Sequence, residues 1–270
     1  MTVLVVGASG FLGGEVCRVA VNAGRRVVGT YWSGTVEVPG VEALRLDVTD
    51  RAAVRALVAR VRPAAVVATP YRYADWAVTA DGAAHVAYAA AEVGARLVHL
   101  SSDALHAGRD RPYGDDEPPT PVFPYGAAKA AAETAVRAID PGAVLVRTSL
   151  ILGTGSKQMQ LCRDALAGRA TLFTDELRCP VDVTDLAGAV LELVDHDYPG
   201  PLNVAGPDAV SRADLGLLVA RHEGIDPTGL KTSTGVACGV VRPTDVRLDS
   251  TRAAGLLRTR LRGVRELLAA

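Results

Sequence analysis

Three glycines near the start of the chain limit the possible folds more than any other feature. The segment Gly7-Ala8-Ser9-Gly10-Phe11-Leu12-Gly13 follows an apolar strand at residues 2–6 and opens an amphipathic helix. Gly7 permits a tight turn, Gly10 lets the backbone approach a pyrophosphate, and Gly13 allows close packing of the helix. The helix N-terminus adds amide donors and a positive dipole end. The pattern predicts a dinucleotide-binding βαβ unit.

Short β-branched runs alternate with Ala-rich amphipathic stretches through the first half of the chain. This alternation predicts an α/β protein with a Rossmann-type doubly wound parallel sheet. We predict strands near residues 2–6, 26–31, 43–46, 65–69, 96–100 and 143–146. We predict helices at about 12–23, 50–61, 76–93 and 125–139. Asp50 caps the second helix, while Gly24 and Gly94 follow the first and third.

After residue 150 the pattern is less regular, and prolines divide the chain into short elements. We expect a smaller C-terminal α+β substrate lobe at 151–270 beside a Rossmann domain at 1–150. Segments near 180–195 and 240–250 are expected to return to the Rossmann domain. The Pro- and Gly-rich stretch between residues 101 and 125 predicts a long ordered loop. Loops at the carboxyl ends of parallel strands are where such folds bind ligands.

Charge and cysteine spacing exclude several functions. The net charge is -1 with acids and bases balanced, so nucleic-acid binding has no electrostatic support. No apolar stretch reaches the roughly 18 to 20 residues that cross a bilayer, and Met1 opens on a strand without a charged leader. We expect a cytoplasmic protein with no membrane partner. The cysteines Cys17, Cys162, Cys179 and Cys238 form no CxxC pair, so no metal site is predicted.

Tyr125 and Lys129 are candidates for acid–base chemistry. They are four residues apart on a predicted helix, so their side chains point the same way. A cation near a phenol lowers the pKa of the phenol from its usual value of about 10. Ser101 and Ser102 end the preceding predicted strand, and both can reach the same edge of the sheet. The spacing is typical of a proton donor with its activator, although Tyr-x-x-x-Lys alone is a weak signal.

Taken together, the glycine turn, Ser102, Tyr125 and Lys129 resemble the extended short-chain dehydrogenase/reductase family. Further segments resemble its dTDP-4-dehydrorhamnose reductase-like, sugar nucleotide-binding branch, and several lie in the second half of the chain. These segments are 101–103, 117–133, 147–149 with Gly153, 180–187, 203–206, 211–212 and 242–249. The resemblance implies an NAD(P)H-dependent reductase of a carbonyl group, with a 4-keto-6-deoxy sugar nucleotide as its small-molecule substrate.

The resemblance also implies roles for individual residues. Tyr125 would donate a proton to the carbonyl oxygen, Ser102 would hydrogen-bond that oxygen, and Lys129 would hold the nicotinamide ribose. The implied cofactor contacts are Gly7, Ser9, Gly10, Phe11, Leu12, Gly13, Tyr31, Ser33, Asp47, Val48, Ala68, Thr69, Pro70, Tyr125 and Lys129. The second strand ends in Thr30-Tyr31-Trp32-Ser33 without the acid that binds the ribose of NAD. NADPH is therefore favoured, with Ser33 or Thr30 as donors to its 2'-phosphate, and NADH stays possible.

Substrate contacts are harder to assign. The candidates are Tyr71, Tyr73, Trp76, Asp103, His106, Gln158, Arg178 and Arg242. The aromatic residues would either stack on the substrate or fill the core between the lobes. Relatives often carry an Asn where Thr79 stands, and that Asn supports a water chain to the lysine. The sequence therefore predicts an atypical site on the side where the substrate enters.

Two alternative functions and one assembly remain open. A nucleotide-sugar epimerase of the same superfamily would retain tightly bound NAD. A second alternative is a non-catalytic NAD(P)-binding subunit, resembling the regulatory subunit of methionine adenosyltransferase. Its binding function would survive the loss of the Tyr125 hydroxyl. A dehydratase is disfavoured because Ser102 is followed by Asp103-Ala104 rather than Asp-Glu. Members of this superfamily often dimerise through the helices that correspond to 76–93 and 125–139, so a homodimer is possible.

Overall fold

A parallel sheet forms the centre of the computed structural model, which describes residues 1–73 and 75–269. The strands, in chain order, are β1 (Thr2–Val6), β2 (Arg26–Tyr31), β3 (Val41–Arg45), β4 (Ala65–Ala68), β5 (Arg96–Leu100), β6 (Val144–Arg147), β7 (Ile151–Leu152), β8 (Leu172–Phe173), β9 (Leu177–Arg178), β10 (Val181–Asp182), β11 (Gly200–Asn203), β12 (Val210–Ser211) and β13 (Thr232–Ser233). The main sheet has the order β11-β6-β5-β4-β1-β2-β3, and every pairing in it is parallel. This arrangement confirms the predicted Rossmann-type fold.

The helices cover both faces of the sheet. In chain order they are α1 (Phe11–Asn22), α2 (Arg51–Val61), α3 (Gly82–Glu92), α4 (Pro124–Ile139), α5 (Lys157–Leu166), α6 (Val183–Val194), α7 (Arg212–Glu223), α8 (Thr251–Leu256) and α9 (Val264–Leu267). A π-helical turn at Ala77–Asp81 precedes α3, and short 3-10 turns lie at Asp103–Leu105 and Pro227–Gly229. No helix among the described residues is long and apolar enough to cross a membrane.

Two hydrophobic cores lie on opposite faces of the sheet. The first joins the sheet to α1 and α6, and the second joins it to α2, α3 and α4. Strands buried on both faces need continuous apolar runs, and β1, β4 and β6 show them. A third core lies between α5 and α7, beyond residue 150. The three cores account for the layered arrangement of helix, sheet and helix with an added smaller lobe.

The seventh strand, β11, is absent from the prediction made from the sequence. It reads Gly200-Pro201-Leu202-Asn203, and its proline and lack of β-branched residues are typical of a loop. The strand lies at the edge of the sheet, where proline is tolerated because one side of the backbone needs no ladder partner. Helix α6 also comes after residue 150 in the chain, and it packs on α1. The division into 1–150 and 151–270 stays a prediction, and Ala270 lies outside the described residues.

Candidate active site

The glycine turn lies at the carboxyl end of β1 and is shaped for close approach of backbone. Gly7 has φ +87°, a conformation that favours glycine. A Cβ atom at Gly13 would lie 2.2 Å from the Gly7 carbonyl oxygen, so only glycine fits where α1 crosses the turn. Behind the turn, the Gly7 amide donates to the Thr30 hydroxyl at 3.2 Å, and the Thr69 hydroxyl donates to the Val6 carbonyl at 2.8 Å. This cradle fits the diphosphate of a dinucleotide at the N-terminus of α1.

Several predicted cofactor contacts surround this cradle. Ser9, Gly10 and Phe11 are exposed at the start of α1, whereas Leu12 is buried beneath it. Ala68 and Pro70 follow β4 at the same edge of the sheet. Thr30 is 1% exposed and its hydroxyl accepts the Gly7 amide, so the expectation that it contacts a 2'-phosphate is wrong. Thr69 supports the turn from behind through its hydroxyl.

The carboxyl ends of β2 and β3 carry a cation that the sequence reasoning missed. Arg45, the last residue of β3, stands in register with Tyr31 of β2 and stacks over the Trp32 ring at 4.6 Å. Ser33 is exposed beside them. The register of two neighbouring strands brings Arg45 there, which reading β2 alone could not show. The signal available in the sequence was the predicted third strand, whose pairing with the second would bring Arg45 to this place.

Asp47 and Val48 lie between β3 and α2, next to the same strand ends. The Asp47 carboxylate accepts hydrogen bonds from the Thr49 hydroxyl at 2.7 Å and the Thr49 amide at 2.9 Å. These bonds lower the pKa of Asp47. Val48 is buried against Gly82, where a Cβ atom would lie 2.8 Å from Val48. The contact fixes the start of α3 beside this loop.

Tyr125 and Lys129 lie on the buried face of α4, as the spacing predicts. The Lys129 ammonium donates to the Leu100 carbonyl oxygen at 2.8 Å, at the end of β5. The Ser102 hydroxyl, in the turn that follows β5, donates to the Asp103 carboxylate at 3.3 Å and accepts the Ala104 amide at 3.2 Å. A Cβ atom at Gly126 would lie 2.2 Å from the Ala104 carbonyl oxygen, so glycine lets α4 approach this turn. The three predicted catalytic residues therefore converge on one edge of the sheet.

Burial dominates the electrostatics of this pair. It raises the pKa of Tyr125 far above its ordinary value, with Tyr73 and Tyr71 adding to the effect and the nearby Ser102 hydroxyl opposing it. Burial also lowers the pKa of Lys129 to about 8, against the opposing charge of Glu133. In the free protein Tyr125 is therefore protonated at neutral pH. That is the state in which a phenol can donate a proton to a carbonyl oxygen.

Aromatic side chains pack around Tyr125. The Tyr73 ring stacks on the Tyr125 ring with centroids 4.3 Å apart, and the Tyr71 and Phe123 rings lie at 5.8 Å and 6.0 Å. Tyr71 and Tyr73 are still 51% and 57% exposed, so they cover the phenol from the side of the cleft. Trp76 is exposed and has no ring contact among the described aromatic residues. Ala74, in the same stretch, lies outside the described residues.

Thr79 is engaged with the loop that follows β4. Its hydroxyl donates to the Arg72 carbonyl oxygen at 2.8 Å and accepts the Arg72 amide at 2.9 Å. Both hydrogen-bonding functions of the hydroxyl are therefore engaged with one residue of the loop. Thr79 ties this loop to the π-helical turn before α3.

Asp103 and Arg178 are joined inside the protein. The Asp103 carboxylate accepts from the Ser149 hydroxyl at 2.6 Å and lies 3.6 Å from the Arg178 guanidinium. Arg178 is buried and donates to the carbonyl oxygens of Leu177, Pro243 and Thr244 at 2.7, 2.6 and 2.5 Å. Its donors are used within the fold. The arrangement holds the 243–244 segment against the loop that carries Ser102.

Arg212 belongs to the segment 211–212 that resembles the family, but no individual role was predicted for it from the sequence. It begins α7 behind the capping box of Ser211 and Asp214, and that box was the available signal. Its guanidinium lies 3.3 Å from the Glu176 carboxylate and donates to the Gln158 side chain. Burial lowers the pKa of Arg212, while Glu176 raises it. Gln158 is thus placed beside this cation.

Arg242 and His106 have different surroundings. Arg242 is 46% exposed and lies 3.9 Å from Glu176, on a cavity lined also by Val122, Val236 and Val241. His106 is fully buried and stacks on Tyr113 with centroids 4.0 Å apart. Burial lowers the pKa of His106 to about 3. The expected substrate contact at His106 is therefore wrong, since the side chain does not reach the cleft.

The sequence reasoning gave no role to a buried ion pair beneath α4. Both carboxylate oxygens of Glu133 accept from Arg147, at 2.7 and 3.0 Å, and the side chains are 4% and 2% exposed. The remaining nitrogen of Arg147 donates to the carbonyl oxygens of Asp115 and Glu117. The pair joins α4, β6 and the long loop one turn beyond Lys129.

A doubly wound sheet with a glycine cradle at β1, and Ser102, Tyr125 and Lys129 at the edge of β5, defines a protein of the short-chain dehydrogenase/reductase class. Residues 1–270 match the family described as "RmlD substrate binding domain". The chain belongs to that family, the sugar nucleotide reductase branch predicted from its motifs.

Named relatives agree with this assignment. The chain is 31% identical over 289 residues to "dTDP-4-dehydrorhamnose reductase" of Mycolicibacterium smegmatis, with 98% of this chain and 83% of that protein covered. It is 30% identical over 274 residues to "dTDP-4-keto-6-deoxy-D-glucose reductase" of Streptomyces niveus, with 94% and 91% covered. The crystal structure of a hypothetical dTDP-4-dehydrorhamnose reductase from Sulfolobus tokodaii superposes with a TM-score of 0.84, at 26% identity and 97% coverage of both chains.

Proposed function

We propose that this protein is an NAD(P)H-dependent reductase that converts the keto group of a 4-keto-6-deoxy sugar nucleotide to an alcohol. The observation that carries the proposal is the convergence of Tyr125, Ser102 and Lys129 beside the glycine cradle. The relatives at 30% and 31% identity are both named as reductases of such sugars, which supports the substrate class. They also favour the reductase over the epimerase and the regulatory subunit.

Each residue of the site has a role in this reaction. When bound, the reduced nicotinamide supplies the hydride that goes to the carbonyl carbon. Tyr125 donates its proton to the carbonyl oxygen, so that an alcohol forms and the phenolate is reprotonated from solvent. Ser102 hydrogen-bonds the same oxygen, and Lys129 holds the nicotinamide ribose and stabilises the phenolate by its charge. The tyrosines at 71 and 73 shield this oxygen from water.

A direct spectrophotometric assay tests the proposed reaction. Purified protein, NADPH and a dTDP-4-keto-6-deoxyhexose should give a stoichiometric loss of NADPH absorbance and a dTDP-6-deoxyhexose product, identified by mass and NMR. An epimerase would instead change the stereochemistry without net consumption of NADPH. Binding of NADPH without turnover of any 4-keto-6-deoxy sugar nucleotide would contradict the reductase and favour a regulatory role.

The preference for NADPH rests on Arg45. Its guanidinium stacks on Trp32 beside Ser33, at the end of the cleft opposite Tyr125, and β2 ends there without a carboxylate. An arginine in that place offers planar, charged donors to a phosphate. We assign it to the 2'-phosphate of NADPH, with Ser33 as a second donor.

Replacing Arg45 tests this assignment. Arg45→Ala should lower kcat/KM for NADPH by about 10- to 100-fold, the worth of one charge-assisted hydrogen bond. The value for NADH should stay close to wild type, because NADH lacks the phosphate. Arg26→Ala, which removes an exposed arginine at the other end of β2, is the matched control. Equal losses with the two cofactors would count against the assignment.

Assembly and location stay predictions. Helices α3 and α4 lie side by side, as a dimer formed through them requires. The cytoplasmic location rests on the sequence alone.

A further inference from the structure

His99 lies in the layer of side chains beneath α4. It is the fourth residue of β5 and stands in register with Ala68 of β4 and Leu145 of β6. Both neighbours belong to the second core, and residues in register on parallel strands point to the same face of the sheet. Ala132 and Val136 of α4 belong to that core as well, three and seven residues after Lys129. The imidazole and the lysine side chain therefore enter the same layer.

The imidazole has unused hydrogen-bonding capacity. His99 is 2% exposed, and neither ring nitrogen has a partner within residues 1–73 and 75–269. Buried polar groups in proteins are almost always paired with protein or with ordered water. Burial, and then the charge of Lys129, lower the pKa of His99 to about 3. The ring is therefore neutral at physiological pH and keeps one nitrogen as an acceptor.

The Lys129 ammonium needs such an acceptor. It carries three protons, and the Leu100 carbonyl oxygen takes one of them at 2.8 Å. The residue is 2% exposed, so bulk water does not surround the charge. The other two protons have no acceptor among the described residues, and His99 enters the layer beneath α4 with a vacant acceptor nitrogen.

We propose that His99 is a positioning residue for Lys129, holding the ammonium through a buried water molecule. The water donates to the acceptor nitrogen of His99 and accepts from the ammonium, which fixes Nζ and stabilises its charged form. This proposal rests on the proposed function in one respect only, which is the role of Lys129 in catalysis. The Thr79 hydroxyl is engaged with the Arg72 backbone, which it both donates to and accepts from.

The other ionisable groups near Lys129 are already engaged or are neutral. Glu133 on the same helix is held by both of its oxygens on Arg147 of β6. Asp103, in the turn after β5, is held by Ser149 and Arg178. The phenols nearby are Tyr125 on α4 and Tyr71, whose ring centroid is 5.9 Å from Nζ. His99 is the ionisable group in this environment with a free acceptor, and the Ser101 hydroxyl is also buried without a partner among the described residues.

The proposal can be tested on the free protein because the chain has three lysines, Lys129, Lys157 and Lys231. With ¹³Cε-labelled lysine, NMR titration gives the pKa of each one, and Lys157→Arg and Lys231→Arg assign the signals. We expect about 8 for Lys129 in the wild type. His99→Leu should lower it by about one unit or more, because the charged form loses an acceptor. His99→Gln, whose amide oxygen can accept, should keep it near the wild-type value.

The control is Leu97→Val, a buried change on the same strand and the same face. It should leave the pKa of Lys129 where it is in the wild type. An unchanged pKa of Lys129 in folded His99→Leu would overturn the proposal. Equal shifts in His99→Leu and Leu97→Val would also overturn it, since they would show a packing effect.

A second measurement covers the case in which His99→Leu does not fold. In wild-type protein labelled with ¹⁵N-histidine, His99 should show one protonated nitrogen and one hydrogen-bonded acceptor nitrogen. Variants of the other four histidines assign its signals. The acceptor shift should move in Lys129→Met, and no movement would reject the contact. Neither measurement uses substrate or cofactor, so the outcome is separate from that of the reductase assay.

Discussion

Tyr125→Phe is expected to lower kcat by about 10³-fold, within the range that general acid catalysis contributes. The phenol is the group at this site that can give a proton to the carbonyl oxygen, and burial keeps it protonated at neutral pH. Phenylalanine preserves the ring that stacks on Tyr73 at 4.3 Å. The fold and the cofactor cradle should therefore survive, and steady-state kinetics with saturating NADPH measures the loss.

Two comparisons separate loss of chemistry from loss of structure. NADPH affinity, followed by quenching of protein fluorescence, should be close to wild type in Tyr125→Phe. Tyr88→Phe removes a hydroxyl from an exposed tyrosine on α3 and should leave kcat unchanged. Turnover by Tyr125→Phe at a rate near that of the wild type would remove Tyr125 from the role of proton donor. Another group would then have to supply the proton to the carbonyl oxygen.

Six of the seven strands of the main sheet were predictable because their apolar runs are short and bounded by turn residues. Tyr125 and Lys129 were predictable for a similar reason, since helical spacing alone puts them on one face. Strand β11 was not, because an edge strand can contain Pro201 and draws its stability from pairing with β6. The turn before α3 was predicted as regular helix, and its π-helical form is not written in side-chain periodicity.

The parts of the site that depend on pairing between distant segments were not predicted from the sequence. Arg45 reaches the end of β2 only through the register of two strands, and Arg178 finds its partners about 65 residues further along the chain. Local spacing cannot distinguish an arginine that binds a ligand from one that binds carbonyl oxygens. The long loop shows the same limit, because burial of His106 against Tyr113 follows from its tertiary contacts.

The buried pair of Glu133 and Arg147 should have the largest effect on stability. Glu133→Ala is expected to lower the free energy of unfolding by about 3 to 5 kcal/mol, because it leaves the Arg147 charge buried without a partner. The bidentate contact at 2.7 and 3.0 Å, with side chains 4% and 2% exposed, places the pair out of reach of solvent screening. Equilibrium unfolding in urea measures the change.

The control is Glu42→Ala, which breaks the exposed pair of Arg26 and Glu42 and should cost less than about 1 kcal/mol. Glu133→Gln should fall between the two, since the amide keeps one acceptor for Arg147 but removes the charge. A loss in Glu133→Ala as small as that in Glu42→Ala would show that Arg147 is held by the carbonyl oxygens of Asp115 and Glu117 alone. In that case the long loop, rather than α4, would be what fixes Arg147.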